Sequence, residues 1–180
     1  MENKKGAEWI STVLYTLIAF ALIGLLLAFV RPKIAEMKDS FIIEQTISSL
    51  NDFDKIIADI RQATNNKRSY ELHLTRGEFI IDTKQDKITF HIPDSNYMFS
   101  ELGVPYQTGT INAMTTKSGS LYDVILEIDY RPLNLTVSGN EELKTLQAAK
   151  TPYTLWMENK GAPFISATEP RGPQQIDITL

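Results

Sequence analysis

The hydrophobic and polar positions of this 180-residue chain follow three successive patterns, and the first is an uncharged apolar run from Trp9 to Val30. A helix of this length, at about 1.5 Å per residue, is about 33 Å long and crosses a hydrocarbon core of about 30 Å. Arg31 ends the run. We therefore predict a transmembrane helix over 9–30, with a buried core helix as the less favoured alternative.

The second pattern has a helical period. Over residues 33–63 apolar residues recur at spacings of three and four, which predicts an amphipathic helix with one apolar stripe. Pro32 either kinks the helix or begins a new one. Asn65-Asn66 is a candidate for the end, because Asn tolerates the left-handed conformation. The sequence thus predicts one long helix over 7–66. The stripe contains Ile34, Met37, Phe41, Ile43, Ile47, Leu50, Phe53, Ile57 and Ile60.

The third pattern alternates with period two and covers residues 67–180. About eight short strands separated by Gly, Pro and Asn turns are typical of an antiparallel β-sandwich or barrel, and we expect the sandwich. Residues 141–149 fit a short helix or a strand, residues 159–161 fit a turn, and residues 97–108 and 161–173 fit loops. The fold class is therefore α+β, with a long N-terminal transmembrane and amphipathic helix followed by a β-sandwich domain. The predicted strands are 70–74, 79–81, 87–92, 109–115, 121–130, 133–137, 153–158 and 176–180.

Charge and cysteine content narrow the function classes. The formal net charge is −4, and the charges of the first thirty residues cancel, so the domain is acidic and has no basic cluster. Such a domain is a poor candidate for binding nucleic acid. The chain contains no cysteine, which excludes disulfides, a thiolate metal site and a cysteine nucleophile.

No pattern of catalytic residues is present in the sequence. His73 and His91 lie in alternating strands, and there is no HExxH, phosphate-binding glycine loop or GxSxG motif. We expect no catalytic residue, metal or cofactor, and we expect that the protein is not an enzyme. A solvated helix face explains three carboxylates: Asp52, Asp54 and Asp59. Three aromatic residues fit either a binding surface or the anchors of a long loop: Tyr97, Phe99 and Tyr106.

A short polar leader precedes the apolar run and admits three interpretations: a signal peptide, an uncleaved anchor or a prepilin leader. The spacing of Ala19-Phe20-Ala21 suits a signal peptidase site. However, the apolar run continues to Val30 and no such site follows it, which disfavours the signal peptide.

The residues Lys4-Lys5-Gly6-Ala7 resemble the processing site of archaeal prepilins and archaellins, the class III signal peptides. In that family basic residues precede a glycine, cleavage follows the glycine, and the apolar helix stays on the mature chain. The resemblance implies a leader over 1–6, prepilin peptidase as a partner, and a mature chain beginning at Ala7. It also implies a single-pass membrane protein with its C-terminal domain outside, which assembles with itself and related pilins into a surface filament.

Three residues are candidates for assembly or modification. Many pilins carry a glutamate about five residues after the cut. Here Ser11 stands at that position and Glu8 is second, so Glu8 is either an assembly residue or a solvated charge at the membrane edge. Gly24 belongs to a small-residue face that lets helices approach closely. Asn134 begins a glycosylation sequon, Asn134-Leu135-Thr136, which suits a location outside the cell.

The sequence therefore favours a structural subunit, a major or minor pilin, whose helix assembles a filament and whose β-domain provides surface contact or adhesion. The alternative is an uncleaved, single-pass, membrane-anchored domain that binds a partner or glycan outside the cell. The two differ in whether the bond between Gly6 and Ala7 is cut.

Overall fold

The structure, a computed structural model, describes residues 3–163 and 172–180, and residues 3–8 by their backbone alone. These ranges contain one helix, α1 (Asn3–Ile60), and ten strands, which confirms the α+β class. The strands are β1 (Lys67–Leu72), β2 (Glu78–Asp82), β3 (Lys87–Ser95), β4 (Tyr106–Thr108), β5 (Ile111–Ser118), β6 (Leu121–Asp129), β7 (Leu133–Val137), β8 (Leu143–Gln147), β9 (Tyr153–Gly161) and β10 (Gln174–Thr179).

The strands form two sheets. One has six strands in the order β4-β5-β6-β3-β2-β8, and all its pairs are antiparallel. The other has four strands in the order β1-β9-β10-β7. In this second sheet β7 and β10 pair in parallel, so the expectation of a wholly antiparallel domain is wrong at this pair. No hairpin joins these two strands, because the chain between them enters the six-stranded sheet as β8 and returns as β9.

Several predicted boundaries are corrected. The predicted turn at residues 159–161 is wrong, because β9 continues to Gly161 and pairs with β10 there. Residues 141–149 contain a strand, β8, and the loop predicted over 97–108 ends in the short strand β4. The loop predicted over 161–173 lies largely outside the described residues.

The C-terminal part of α1 completes the core of the domain. The buried residues recur along the helix at spacings of four and three, which places them on one face. Phe53 packs edge-on against Tyr70 of β1 and Phe79 of β2, at ring-centroid distances of 5.7 and 5.9 Å. One helix therefore joins both sheets into a single hydrophobic core. We call this buried face the inner stripe: Asp39, Ile43, Thr46, Leu50, Phe53, Ile57 and Ile60.

The helix ends earlier than the sequence predicts. It ends at Ile60 rather than at residue 66, and irregular turns follow. Asn65 has a φ of 62°, which is the left-handed conformation expected for Asn near a helix end. The side-chain amide of Asn66 donates to the carbonyl of Asp59 at 3.1 Å.

Candidate functional site

The apolar run is exposed in the isolated chain. Within α1, residues 9–30 bury nothing against the domain, and Trp9, Leu17 and Phe29 are 75, 61 and 72% exposed. Among the described residues, α1 is the one helix long and apolar enough to cross a membrane. An apolar surface this large is not stable in water and needs a bilayer or another protein to cover it.

The helix continues from the apolar run into the domain without a break. Pro32 lies inside α1, so of the two alternatives, a kink or a new helix, the second is wrong. A proline inside a helix removes one backbone hydrogen bond. In the turn that follows, Lys33 and Glu36 form an ion pair of 2.6 Å between positions i and i+3. The apolar run and the domain are therefore connected by one continuous helix.

The predicted single stripe is wrong, because the structure divides it between two faces of the helix. Ile43 is fully buried, whereas Ile34, Met37 and Phe41 are 46, 71 and 66% exposed. Phe41 and Ile43 are two residues apart and therefore point about 200° apart around the helix. The stripe of Ile34, Met37 and Phe41, which we call the outer stripe, faces away from the domain.

A partly buried ion pair fixes the helix to the domain where the two first meet. Arg76 donates to Oδ1 of the buried Asp39, and the backbone and side-chain nitrogens of Asn96 donate to its Oδ2 at 2.7 and 2.8 Å. Arg76 also donates to the carbonyl of Pro93 at 2.8 Å. Gly77 makes the adjoining turn possible: its φ is 82°, and a Cβ there would lie 2.2 Å from the carbonyl oxygen of His91.

A second polar contact lies farther along the helix. The hydroxyl of Tyr130 donates to Oδ1 of Asp54 at 2.9 Å, and Thr110 donates to Oδ2 at 3.0 Å. Burial, and next the negative charge of Asp54, raise the pKa of Tyr130 well above its ordinary value of 10.0. The interpretation of Asp54 as a solvated carboxylate is therefore wrong, whereas Asp52 and Asp59 are exposed.

A buried side chain of β9 donates hydrogen bonds to backbone carbonyls at the end of α1. The amide of Asn159 donates to the carbonyls of Ile60 and Ala63, both at 2.9 Å, and its oxygen accepts from the backbone nitrogen of Gly161 at 2.8 Å. Carbonyls in the last turn of a helix have no partner within the helix and need one from elsewhere. Asn159 supplies that partner across the core, and its backbone belongs to β9, where it pairs with Ile176 of β10.

Three polar residues thus connect α1 to the domain, and we call them the anchors: Asp39, Asp54 and Asn159. Local sequence does not identify them. Asp39 follows Lys38, and Asp54 precedes Lys55, so each has the composition of an ordinary polar face. One signal was present: Asp39 continues the spacing of the inner stripe one turn before Ile43. A polar residue in phase with a buried stripe must find a partner in the folded protein.

The residues of the predicted processing site lie at the start of α1. The backbone of Lys4, Lys5, Gly6, Ala7 and Glu8 is helical, and their side chains lie outside the described residues. Their roles in processing and assembly remain predictions.

Gly24 lies within the exposed part of α1. Apart from its chain neighbours and the adjacent backbone of the same helix, no described atom lies within 4 Å of a Cβ built there, so no tertiary contact requires a glycine. Any packing role for Gly24 needs a second helix, and its role in assembly remains a prediction.

The candidate glycosylation residue lies in a regular strand. Asn134 is half-buried in β7, an edge strand of the four-stranded sheet. Thr136 of the sequon is buried, and its hydroxyl donates to Oδ1 of Asp177 at 2.8 Å. Glycosylation of Asn134 remains a prediction, and in the folded chain the sequon threonine is already engaged.

Two of the three aromatic residues in the segment 97–108 anchor it. Tyr97 and Phe99 are partly buried against the core, and Phe99 meets Tyr106 edge-on at 6.1 Å between ring centroids. Tyr106 itself is 53% exposed. Tyr97 also borders a shallow hollow with Met37 and Phe41, so the domain touches the edge of the outer stripe there.

The described ranges contain no group of three or more His, Cys, Asp or Glu side chains placed to hold a metal ion. His73 is exposed and His91 is half-buried. Compared with known proteins, the chain matches no family model, no curated protein and no solved structure.

Proposed function

We propose that this chain is a structural subunit, major or minor, of an archaeal type IV filament. One observation carries the proposal: the exposed apolar run and the helix that completes the domain core belong to the same unbroken α1. The same helix is held to the domain by contacts at Asp39, Phe53 and Asn159.

The physical argument concerns what covers residues 9–30. In a bilayer, lipid covers them. Once a chain leaves the bilayer, its apolar surface must be covered by something equally apolar, and other copies of the same helix supply that surface. The domains then lie outside the helical core and are free for surface contact or adhesion.

The resemblance of Lys4-Lys5-Gly6-Ala7 to a prepilin cleavage site supplies the step that would release the chain for assembly. Intact-mass and N-terminal analysis of protein from its native membrane or surface fraction tests that step. A mature chain beginning at Ala7 is expected. Replacement of Gly6 by a bulky residue, Gly6→Leu, is expected to leave the precursor in the membrane without filaments, while Lys4→Arg, which keeps the charge, is expected to be processed.

An uncleaved, membrane-anchored binding domain is the second candidate, and the place of Glu8 favours it. A charge at the second position after the cut would enter the start of the mature helix, where the resembled family usually has a small or apolar residue. Native protein that retains the leader through Gly6, with no filaments visible by electron microscopy, would overturn the first function and favour the second.

A further inference from the structure

Strands β7 and β10 carry three hydrogen-bonded side chains that play no part in the proposed assembly. The two strands pair in parallel, and Thr136 of β7 stands opposite Asp177 of β10. These two residues are only 4 and 8% exposed. The hydroxyl of Thr136 donates to Oδ1 of Asp177 at 2.8 Å, and Nε2 of Gln175 donates to Oγ1 of Thr136 at 3.2 Å. A hydroxyl, a carboxylate and a carboxamide therefore meet at one oxygen atom.

A backbone turn holds the carboxylate of Asp177 in place beside the hydroxyl. The turn after β7 has positive φ at Ser138 and Gly139, 51° and 78°. It brings the backbone nitrogen of Gly139 to Oδ1 of Asp177, to which it donates at 2.7 Å. A hydroxyl within hydrogen-bond reach of a base that a third group orients is the arrangement that activates a nucleophile. Thr136, Asp177 and Gly139 meet this description.

The carboxamide of Gln175 is placed to be the group that the hydroxyl attacks. The pairing of β10 with β9 shifts its register between Gln175 and Ile176, and such a bulge re-aims the side chain beside it. The carbonyl carbon Cδ of Gln175 is one covalent bond from the nitrogen that contacts Thr136. The terminal torsion of glutamine is broad, so rotation about it turns the face of this carbonyl carbon toward the hydroxyl oxygen.

We propose that Thr136 and Gln175 form an intramolecular ester that cross-links β7 to β10. Oγ1 of Thr136 attacks Cδ of Gln175 while the carboxylate of Asp177 accepts the hydroxyl proton. The tetrahedral adduct then collapses: the bond between Cδ and Nε2 breaks, and Asp177 returns the proton to the leaving nitrogen. The products are one ester and one molecule of ammonia, and the carboxylate of Asp177 is regenerated. The balance requires no oxidant or reductant.

Burial favours the ester once it has formed. The low exposure of Thr136 and Asp177 keeps water away from the reacting atoms, so water neither competes with the hydroxyl nor hydrolyses the product. Gln175 is half-buried, which leaves a path to solvent for the ammonia. Dilution of the ammonia into the medium then opposes the reverse reaction.

The ester would join two strands that no disulfide can join in a chain without cysteine. β8 and β9 lie between β7 and β10 in sequence, and the cross-link spans 39 positions. β7 is an edge strand whose neighbour in the four-stranded sheet is β10. A covalent bond that closes a loop of this length restricts the unfolded chain and so stabilises the edge of the sheet. The inference depends neither on cleavage after Gly6 nor on filament formation.

Mass spectrometry of the full chain, solubilised in detergent, tests the ester directly. The protein is expected to be about 17 Da, one ammonia, lighter than the mass calculated from its N terminus and sequence. Proteolysis is expected to give a branched peptide that joins residue 136 to residue 175, and hydroxylamine, which cleaves esters, is expected to separate its two arms. A chain of full mass, or a loss of ammonia located at an asparagine succinimide, would overturn the inference.

Matched variants assign the role of each side chain. Thr136→Val is expected to restore the full mass and Thr136→Ser to keep the loss. Gln175→Leu is also expected to restore the full mass, and it tests the ester if Thr136→Val does not fold. Its control is Gln174→Leu, because the amide of Gln174 donates instead to the carbonyl of Arg61 at 2.9 Å. Asp177→Asn is expected to reduce the cross-linked fraction severalfold. A loss that persists in Thr136→Val or Gln175→Leu, or is undiminished in Asp177→Asn, would contradict the proposed chemistry.

Discussion

The two halves of α1 use the same spacing of apolar residues for different partners. The outer stripe ends at Phe41, which is 66% exposed, and the inner stripe runs from Asp39 to Ile60, which is fully buried. The two overlap over residues 39–41, on opposite faces of one helical turn. An apolar stripe therefore shows that a face will be covered, but not whether its partner lies in the same chain, in lipid or in another copy.

Polar residues make the difference between the two faces. The inner stripe contains Asp39 and Thr46, both buried and both hydrogen-bonded, Asp39 to the domain and Thr46 to the carbonyl of Ile42 at 2.8 Å. The outer stripe contains no polar residue between Val30 and Phe41. A face that binds its own domain carries specific polar partners, while the outer stripe offers apolar contact alone.

The largest expected difference in stability is between substitutions of two phenylalanines of the same helix, Phe53 and Phe41. Phe53→Ala removes a ring that bridges both sheets and is expected to destabilise the domain by about 3–5 kcal/mol, measured by urea unfolding of the detergent-solubilised chain. Phe41→Ala is the matched control, and its effect is expected to stay within about 0.5 kcal/mol because the ring is exposed.

If Phe53→Ala does not fold, Phe53→Leu is expected to fold with a smaller loss of stability. Equal effects at Phe53 and Phe41 would contradict the division of α1 into two faces.

An intermediate effect is expected at the first anchor. Asp39→Asn keeps the shape of the side chain but turns an NH₂ group toward the donors of Asn96 or Arg76, and we expect a loss of about 2–3 kcal/mol. Asp52→Asn is the control: Asp52 pairs with Lys55 at 2.9 Å on an exposed face, so its loss is expected to be below about 0.5 kcal/mol. Urea unfolding of both variants decides the comparison, and a similar cost at both positions would mean that Asp39 is not an anchor.

The smallest effect concerns pH. Because the pKa of Tyr130 is raised in the folded state, the unfolded chain loses the hydroxyl proton of Tyr130 at a lower pH than the folded chain does. Below about pH 10 both states keep the proton, and Tyr130 contributes its full stabilisation of the fold. Above that pH it is lost, at up to about 1.4 kcal/mol per pH unit. Tyr130→Phe is expected to flatten this alkaline loss in urea unfolding between pH 9 and 11, whereas Tyr106→Phe at an exposed position is not. An unchanged slope in Tyr130→Phe would place the alkaline sensitivity elsewhere.

Much of the architecture follows from local patterns. The change from period 3.6 to period 2 near residue 67 predicts the helix and the β-domain, because each period matches one way of presenting a single apolar face. The same reasoning places most strands, including β3 and β6. It does not predict which strands pair, and the parallel pairing of β7 with β10 depends on a chain path through both sheets.

The anchors could not be predicted because their partners are distant in sequence. Asn159 lies almost one hundred positions from Ile60, whose carbonyl it binds, and Asp54 is 76 positions from Tyr130. Spacing rules describe neighbours on one helix or strand and do not predict contacts between different helices and strands. The assignment of Ile34 and Phe41 to one stripe with Ile43 failed for a related reason. Apolar residues on both faces look like one stripe until the buried partner is known.

Accessibility along α1 in intact cells tests the central claim, that one helix passes from a membrane to an external domain. Single cysteines at Leu17, Glu44 and Lys144, in the otherwise cysteine-free chain, are treated with a membrane-impermeant maleimide in intact cells, after lysis and after denaturation in detergent. We expect labelling at positions 44 and 144 in intact cells, and labelling at position 17 only after denaturation. Labelling at position 17 in intact cells, or at positions 44 and 144 only after lysis, would contradict the membrane span or its orientation.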